Sequence, residues 1–132
     1  MNSDLQARIR AISVELAKNI FYENNNLHFS FIVRQNRIVA AGFASKKTDP
    51  YAKRAGYRFA NIHSELSVIK QFGLDYDFRG LTLVNTRVMR NLKSFGMSRP
   101  CHICSGWITS LALPFKDIYY TDLTGEFQLL EE

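Results

Sequence analysis

Two short motifs, far apart in the chain, constrain this sequence more than any other feature. They read H-S-E at residues 63–65 and P-C-H-I-C at residues 100–104. Zinc prefers nitrogen and sulfur ligands in a tetrahedron, and a catalytic zinc site uses three protein ligands and leaves the fourth position to water. His63, Cys101 and Cys104 supply three such ligands and use both cysteines of the chain. The motifs therefore predict one zinc site.

The spacing within each motif has a physical reason. Cys101 and Cys104 are three residues apart, so on a helix their Cβ atoms lie about 5–6 Å apart, a separation that one metal can bridge. Pro100 suits the first turn of that helix, where an N–H has no partner. Glu65 is left as a carboxylate beside the metal. The alternatives are a disulfide, a redox pair or two inert core cysteines, and none of them accounts for the upstream H-x-E.

Both motifs together, in this order, resemble the signature of the zinc-dependent cytidine deaminase superfamily. The chain is most similar to a less characterised bacterial and viral branch of it, and the resemblance covers the whole chain. It implies a single α/β domain over residues 1–132, with a five-stranded mixed sheet flanked by three helices in three layers. It also implies Zn²⁺ as the cofactor and assembly into a homo-oligomer.

Hydrophobic periodicity predicts elements in the same order. Leu5, Ile9, Ile12, Leu16 and Ile20 mark the buried stripe of a first helix. No helix fits between the last two strands, which must therefore form an antiparallel hairpin. We interpret residues 45–61 as a basic, aromatic loop and His28 as an ordinary core or edge histidine. The remaining predicted elements are strands at 27–34 and 37–44, a helix from a cap at Asn61 to Gly73, a strand at 81–90, a helix after Cys101, and strands at 117–121 and 126–130.

The resemblance also implies a mechanism. In that superfamily zinc activates a water that attacks C4 of cytosine, and the glutamate, here Glu65, carries protons to ring N3 and to the departing amino group. Ammonia leaves and uracil remains. By the same resemblance, the backbone N–H of Ser64 would hold the base edge, and the carbonyl near Ser98 or Arg99 would accept the amino group.

The sugar-binding position departs from that family. Many members have an asparagine at the end of the second strand that binds a sugar hydroxyl, whereas this chain has Ala44. An alanine side chain makes no hydrogen bond. Ser45, Thr48 and Asn61 are the candidate substitutes.

The basic residues are unevenly distributed. Residues 46–58 and 87–99 hold nine of the seventeen Lys and Arg but one of the twelve acids. This excess of positive charge draws anions toward a cleft and favours a phosphorylated substrate. Because aromatic residues lie nearby in the sequence, single-stranded nucleic acid is a second interpretation. A solvated basic surface is the third. The candidate phosphate or nucleic-acid contacts are Lys46, Lys47, Lys53, Arg54 and Arg58.

The sequence indicates the cellular compartment of the protein and leaves three functions open. No apolar run is long enough for a membrane span, and the start lacks the basic and apolar regions of a signal peptide, so we expect a cytoplasmic protein without membrane contact. The first hypothesis is a deaminase of a cytidine or deoxycytidine nucleoside or nucleotide. The second is a deaminase of cytosine or adenine within single-stranded DNA or RNA. The third is a non-catalytic, zinc-stabilised binding module, against which the spare acid Glu65 argues.

Overall fold

The structure is a computed structural model that describes residues 1–20, 27–48, 61–73, 76–100 and 115–130, with residues 45–48 and 61–62 described for their backbone. Within these ranges lie two helices and seven strands. In chain order they are α1 (Ser3–Ile20), β1 (His28–Arg34), β2 (Arg37–Phe43), β3 (Ser45–Thr48), β4 (Asn61–Ile62), α2 (Ser64–Lys70), β5 (Thr82–Arg87), β6 (Asp117–Thr121) and β7 (Phe127–Leu129).

Five of the strands form one mixed sheet in the order β2-β1-β5-β6-β7. β5 and β6 run parallel, and the other neighbouring pairs run antiparallel. The predicted α/β class, the five-stranded mixed sheet and the terminal antiparallel hairpin are thus confirmed. The third predicted helix lies outside the described residues.

The two helices cover opposite faces of this sheet, because alternate side chains of a strand point to opposite faces. Leu5 and Ile9 of α1 pack with Phe29 and Phe31 of β1. On the other face Val68 and Ile69 of α2 pack with Ile32 and Leu83, together with Phe78 and Leu81. Side chains at even positions of β1 and odd positions of β5 therefore face α2.

Three details of the sequence interpretation are wrong. Ile12 is 37% exposed, and Ser13 takes its place on the buried face of α1, where its hydroxyl lies 2.8 Å from Thr86 Oγ1. Part of the predicted loop at 45–61 is regular, since β3 and β4 pair antiparallel. Asn61 is consequently a strand residue, and His63 is the N-cap of α2.

At Gly42 of β2 the backbone of α2 comes close to the sheet. A Cβ atom at this position would lie 2.7 Å from the backbone nitrogen of Val68 and 3.0 Å from its Cα. Neither backbone atom can give way without moving the helix. The missing side chain of Gly42 therefore sets the distance between α2 and the sheet.

We predict that Gly42→Ala pushes α2 off the sheet and lowers the free energy of unfolding by about 1–3 kcal/mol, as overpacking does elsewhere. Urea unfolding measures this change. The control is Val39→Ala on the same strand, where the side chain is 46% exposed and the expected change is within about 0.5 kcal/mol. Equal stability of the two variants would contradict the close approach.

Candidate functional site

A cavity of about 200 Å³ lies beside the first turn of α2. The amino end of β1 and the carboxyl ends of β2 and β5 meet there, since His28 is the partner of Arg87 and Phe29 of Phe43. Crevices at the carboxyl ends of strands are the usual ligand sites of open α/β sheets. The cavity is lined by His28, Ala44, His63, Ser64, Glu65, Ser98 and Arg99.

The start of α2 places the first motif in this cavity. His63 has an extended backbone, with φ −76° and ψ 154°, and its carbonyl accepts the N–H of Ser67 at 2.9 Å. The chain thus turns from β4 into the helix at His63. Ser64 and Glu65 follow in the first turn, where they are 3% and 5% exposed.

A buried group of polar side chains surrounds Glu65, and we call it the Asn85 cluster: Ser30, Ser64, Glu65, Asn85 and Ser98. Asn85 Nδ2 donates to Glu65 Oε2 and to the Ser98 carbonyl, each at 3.2 Å. The Ser64 hydroxyl lies 3.1 Å from Glu65 Oε1 and 2.8 Å from Ser30 Oγ, which lies 2.6 Å from Asn85 Oδ1. These contacts hold the carboxylate at one place in the cavity wall.

Ser98 is fixed to β6 by a second set of hydrogen bonds. Its backbone N–H donates to the Thr121 carbonyl at 2.8 Å, and its hydroxyl accepts the Thr121 N–H at 2.7 Å. The Thr121 hydroxyl in turn donates to the Gly96 carbonyl at 2.6 Å. The segment that leads to Pro100, the residue before Cys101, is therefore attached to the sheet. At the cavity mouth the exposed Arg99 places its guanidinium 5.8 Å from the centre of the Tyr120 ring.

His28 is a cavity residue that the sequence interpretation missed. Burial, with a smaller contribution from the charges of Arg87 and His63, lowers the pKa of His28 from 6.5 to about 4. The imidazole is therefore neutral at pH 7 and can both donate and accept a hydrogen bond. The interpretation as an ordinary core or edge residue considered the strand alone, and the structure adds that this largely buried residue also lines the cavity. His28 shares a sheet face with Ser30, and only the packing of α2 makes that face part of a cavity.

We predict a pH-dependent loss of stability that comes from His28. Between pH 6.5 and about 4 the unfolded chain binds a proton at this imidazole that the folded chain does not. The free energy of unfolding therefore falls as the pH is lowered through this window, by up to about 3 kcal/mol at its lower end. Urea unfolding between pH 4 and pH 8 measures it, and His28→Gln should remove this part of the slope. Identical pH profiles of wild type and variant would disprove the assignment.

The structure brings together the predicted residues His63, Ser64, Glu65, Ser98 and Arg99. Ala44, which departs from the family, lines the same cavity. Other predicted residues are described for their backbone alone: Ser45, Lys46, Lys47 and Thr48 in β3 and Asn61 in β4. Five others lie outside the described residues, namely Lys53, Arg54, Arg58, Cys101 and Cys104.

Among the described residues no group of three or more His, Cys, Asp or Glu could hold a metal ion. That search does not reach Cys101 or Cys104. His63 lines the cavity beside a buried carboxylate, and Ser98 and Arg99, which also line it, stand three and two residues before the first cysteine in the sequence. One imidazole, two thiolates and a nearby acid are the donor set of an open zinc site, and of these groups the structure describes His63 and Glu65.

Comparison of the chain with models of protein families, with curated proteins and with solved structures finds no match. Among the described residues, no helix has the length and apolar character needed to cross a membrane.

Proposed function

We propose that this chain is a zinc-dependent hydrolytic deaminase with the cytidine-deaminase-like fold. It converts the cytosine of a cytidine or deoxycytidine nucleoside or nucleotide into uracil and releases ammonia. One observation carries the proposal. Glu65, from the first motif, and the Ser98 carbonyl, from the segment before the second motif, meet in one cavity and are joined by a single Asn85 amide.

The metal would be held by His63, Cys101 and Cys104, and when bound it supplies a water whose pKa is lowered toward neutrality. Glu65 moves the protons. Glu65 is 5% exposed and lines the cavity, where it can exchange protons with a bound molecule. It takes one proton from the attacking water and passes it to ring N3, then takes the second proton from the hydroxyl formed at C4 and gives it to the amino group, which leaves as ammonia while the C4 carbonyl forms.

Groups of opposite hydrogen-bonding character flank Glu65 and support an aminated base as the substrate. The Ser98 carbonyl is an acceptor that suits the N–H of an exocyclic amine. It has two lone pairs, and Asn85 uses one of them. Ser64 is the first residue of α2, so its backbone N–H has no acceptor within the helix. A donor and an acceptor on either side of a proton-transferring acid can recognise the N3 and amino edge of cytosine.

The size and charge of the cavity suit a single base that carries a phosphate group. Its volume of about 200 Å³ lies below the roughly 300–1,000 Å³ of sites for drug-sized ligands, which suits one base or nucleoside. The exposed guanidinium of Arg99 at the mouth adds a positive charge that favours a phosphorylated form.

The test is ammonia release by zinc-loaded protein with cytidine, deoxycytidine, their mono- and triphosphates, and a short single-stranded oligonucleotide containing cytosine and adenine. We predict turnover of at least one monomer, and a loss of at least about 10²-fold in Glu65→Gln because the proton carrier is gone. Zinc content and circular dichroism of the variant should match those of the wild type.

Each other outcome of this panel has a definite meaning. Turnover of the oligonucleotide alone would make the protein a base-modifying enzyme of nucleic acid. No turnover at full zinc occupancy would favour the binding module. Unchanged turnover in Glu65→Gln would refute the mechanism.

A further inference from the structure

We infer that Asn85 is a positioning residue that fixes the distance between Glu65 and the Ser98 carbonyl. This inference rests on the deaminase function proposed above and deepens it. Asn85 is not among the residues that line the cavity, and it is 3% exposed. It therefore acts on a substrate through the two groups that it binds and not by contact.

The orientation of the Asn85 amide follows from its partners. A carboxylate oxygen and a backbone carbonyl only accept hydrogen bonds, so the group 3.2 Å from both Glu65 Oε2 and Ser98 O must be the NH₂. The amide oxygen then receives the Ser30 hydroxyl at 2.6 Å. Both N–H donors and the oxygen are thus used, and the amide has one arrangement that satisfies all its partners.

One planar amide therefore sets the relative position of two groups that address neighbouring atoms of the base. Glu65 must come within about 2.6–3.2 Å of the atoms whose protons it moves. The Ser98 carbonyl holds the amino group, which is the last of those atoms to receive a proton. A misplacement of about 1 Å can cost about 10²-fold in rate, so the bridge between the two groups bears directly on turnover.

Asn85 is itself placed on the most constrained part of the sheet. β5 is the central strand, with Ser30 of β1 directly opposite Asn85 on one side and Tyr120 of β6 on the other. Residues on such strands hold a site more rigidly than residues on loops. The next residue, Thr86, points to the opposite face and contacts Ser13 of α1. Thr86 thus offers a matched control, equally buried and one position away.

The kinetic test uses Asn85→Asp, which keeps the shape of the side chain but removes both N–H donors. We predict a fall in kcat of about 10–100-fold, the usual effect of losing a group that orients a catalytic residue, and a smaller change in KM. Thr86→Val should leave kcat unchanged. Both variants are compared at equal zinc occupancy and equal folded fraction. The inference is overturned if Asn85→Asp keeps the kcat of Thr86→Val, or if its loss only follows lost zinc or lost folding.

A second measurement needs no turnover. Asn85→Asp sets a second carboxylate against Glu65 in a buried place, and we predict a fall in Tm of about 4 °C or more at pH 8. In the double variant Asn85→Asp with Glu65→Gln, the amide at position 65 donates to the carboxylate at position 85. The Tm of the double variant should therefore be higher than that of Asn85→Asp alone. If the effects of the two changes on Tm simply add, the bridge does not exist. If the wild type turns over nothing while this coupling is present, the proposed function fails and the contact stands.

Discussion

Hydrogen bonds from neighbouring side chains stabilise the buried carboxylate of Glu65. An ionised acid without such partners costs several kcal/mol to bury. The donors here are the hydroxyl of Ser64 on α2 and the amide of Asn85 on β5, and Ser30 on β1 completes the group. Three elements must therefore be correctly aligned at once. A slip of one residue between β1 and β5 would turn Ser30 or Asn85 to the face of α1 and leave the carboxylate without its amide.

The same network extends to the far edge of the sheet. Ser98 is bound both to Asn85 and to Thr121 at the end of β6. The turn that follows is held by Asp122, whose pKa is lowered to about 2 by hydrogen bonds, first from the side chain of Thr124 and then from that of Gln128. The antiparallel hairpin of β6 and β7 thus fixes the wall of the cavity that leads to Cys101. A feature that looked purely topological in the sequence supports the site.

Local patterns were sufficient for much of the fold. Alternation and turn residues identified the hairpin of β1 and β2, and the missing helix before β7 identified its antiparallel direction. β3 could not be found this way, because its lysines at 46 and 47 and its short length resemble a loop. The exposure of Ile12 could not be predicted from the sequence either, because the neighbouring Ser13 gains a hydrogen-bond partner only when α1 packs on the sheet beside Thr86.

The residues of the candidate site also divide into those with a local sequence pattern and those without one. His63 and Glu65 were predictable because their spacing from each other and the cysteine motif carry chemical meaning. Asn85 left one signal, a polar residue in the middle of β5 on the same face as the apolar Leu83, but its partners come from distant parts of the chain. Only the strand register and the packing of α2 bring Ser30, Ser64 and Ser98 to it. Long-range contacts of this kind have no local sequence pattern.

The proposed open zinc site joins His63 to both cysteines, and X-ray absorption at the zinc edge tests it most directly. For the zinc-loaded protein we predict two sulfur ligands at about 2.3 Å and two lighter ligands at about 2.0–2.1 Å, one of them an imidazole. Replacing His63 by Ala should remove the imidazole signal. A shell of nitrogen and oxygen without sulfur, or an unchanged spectrum in that variant, would contradict the account.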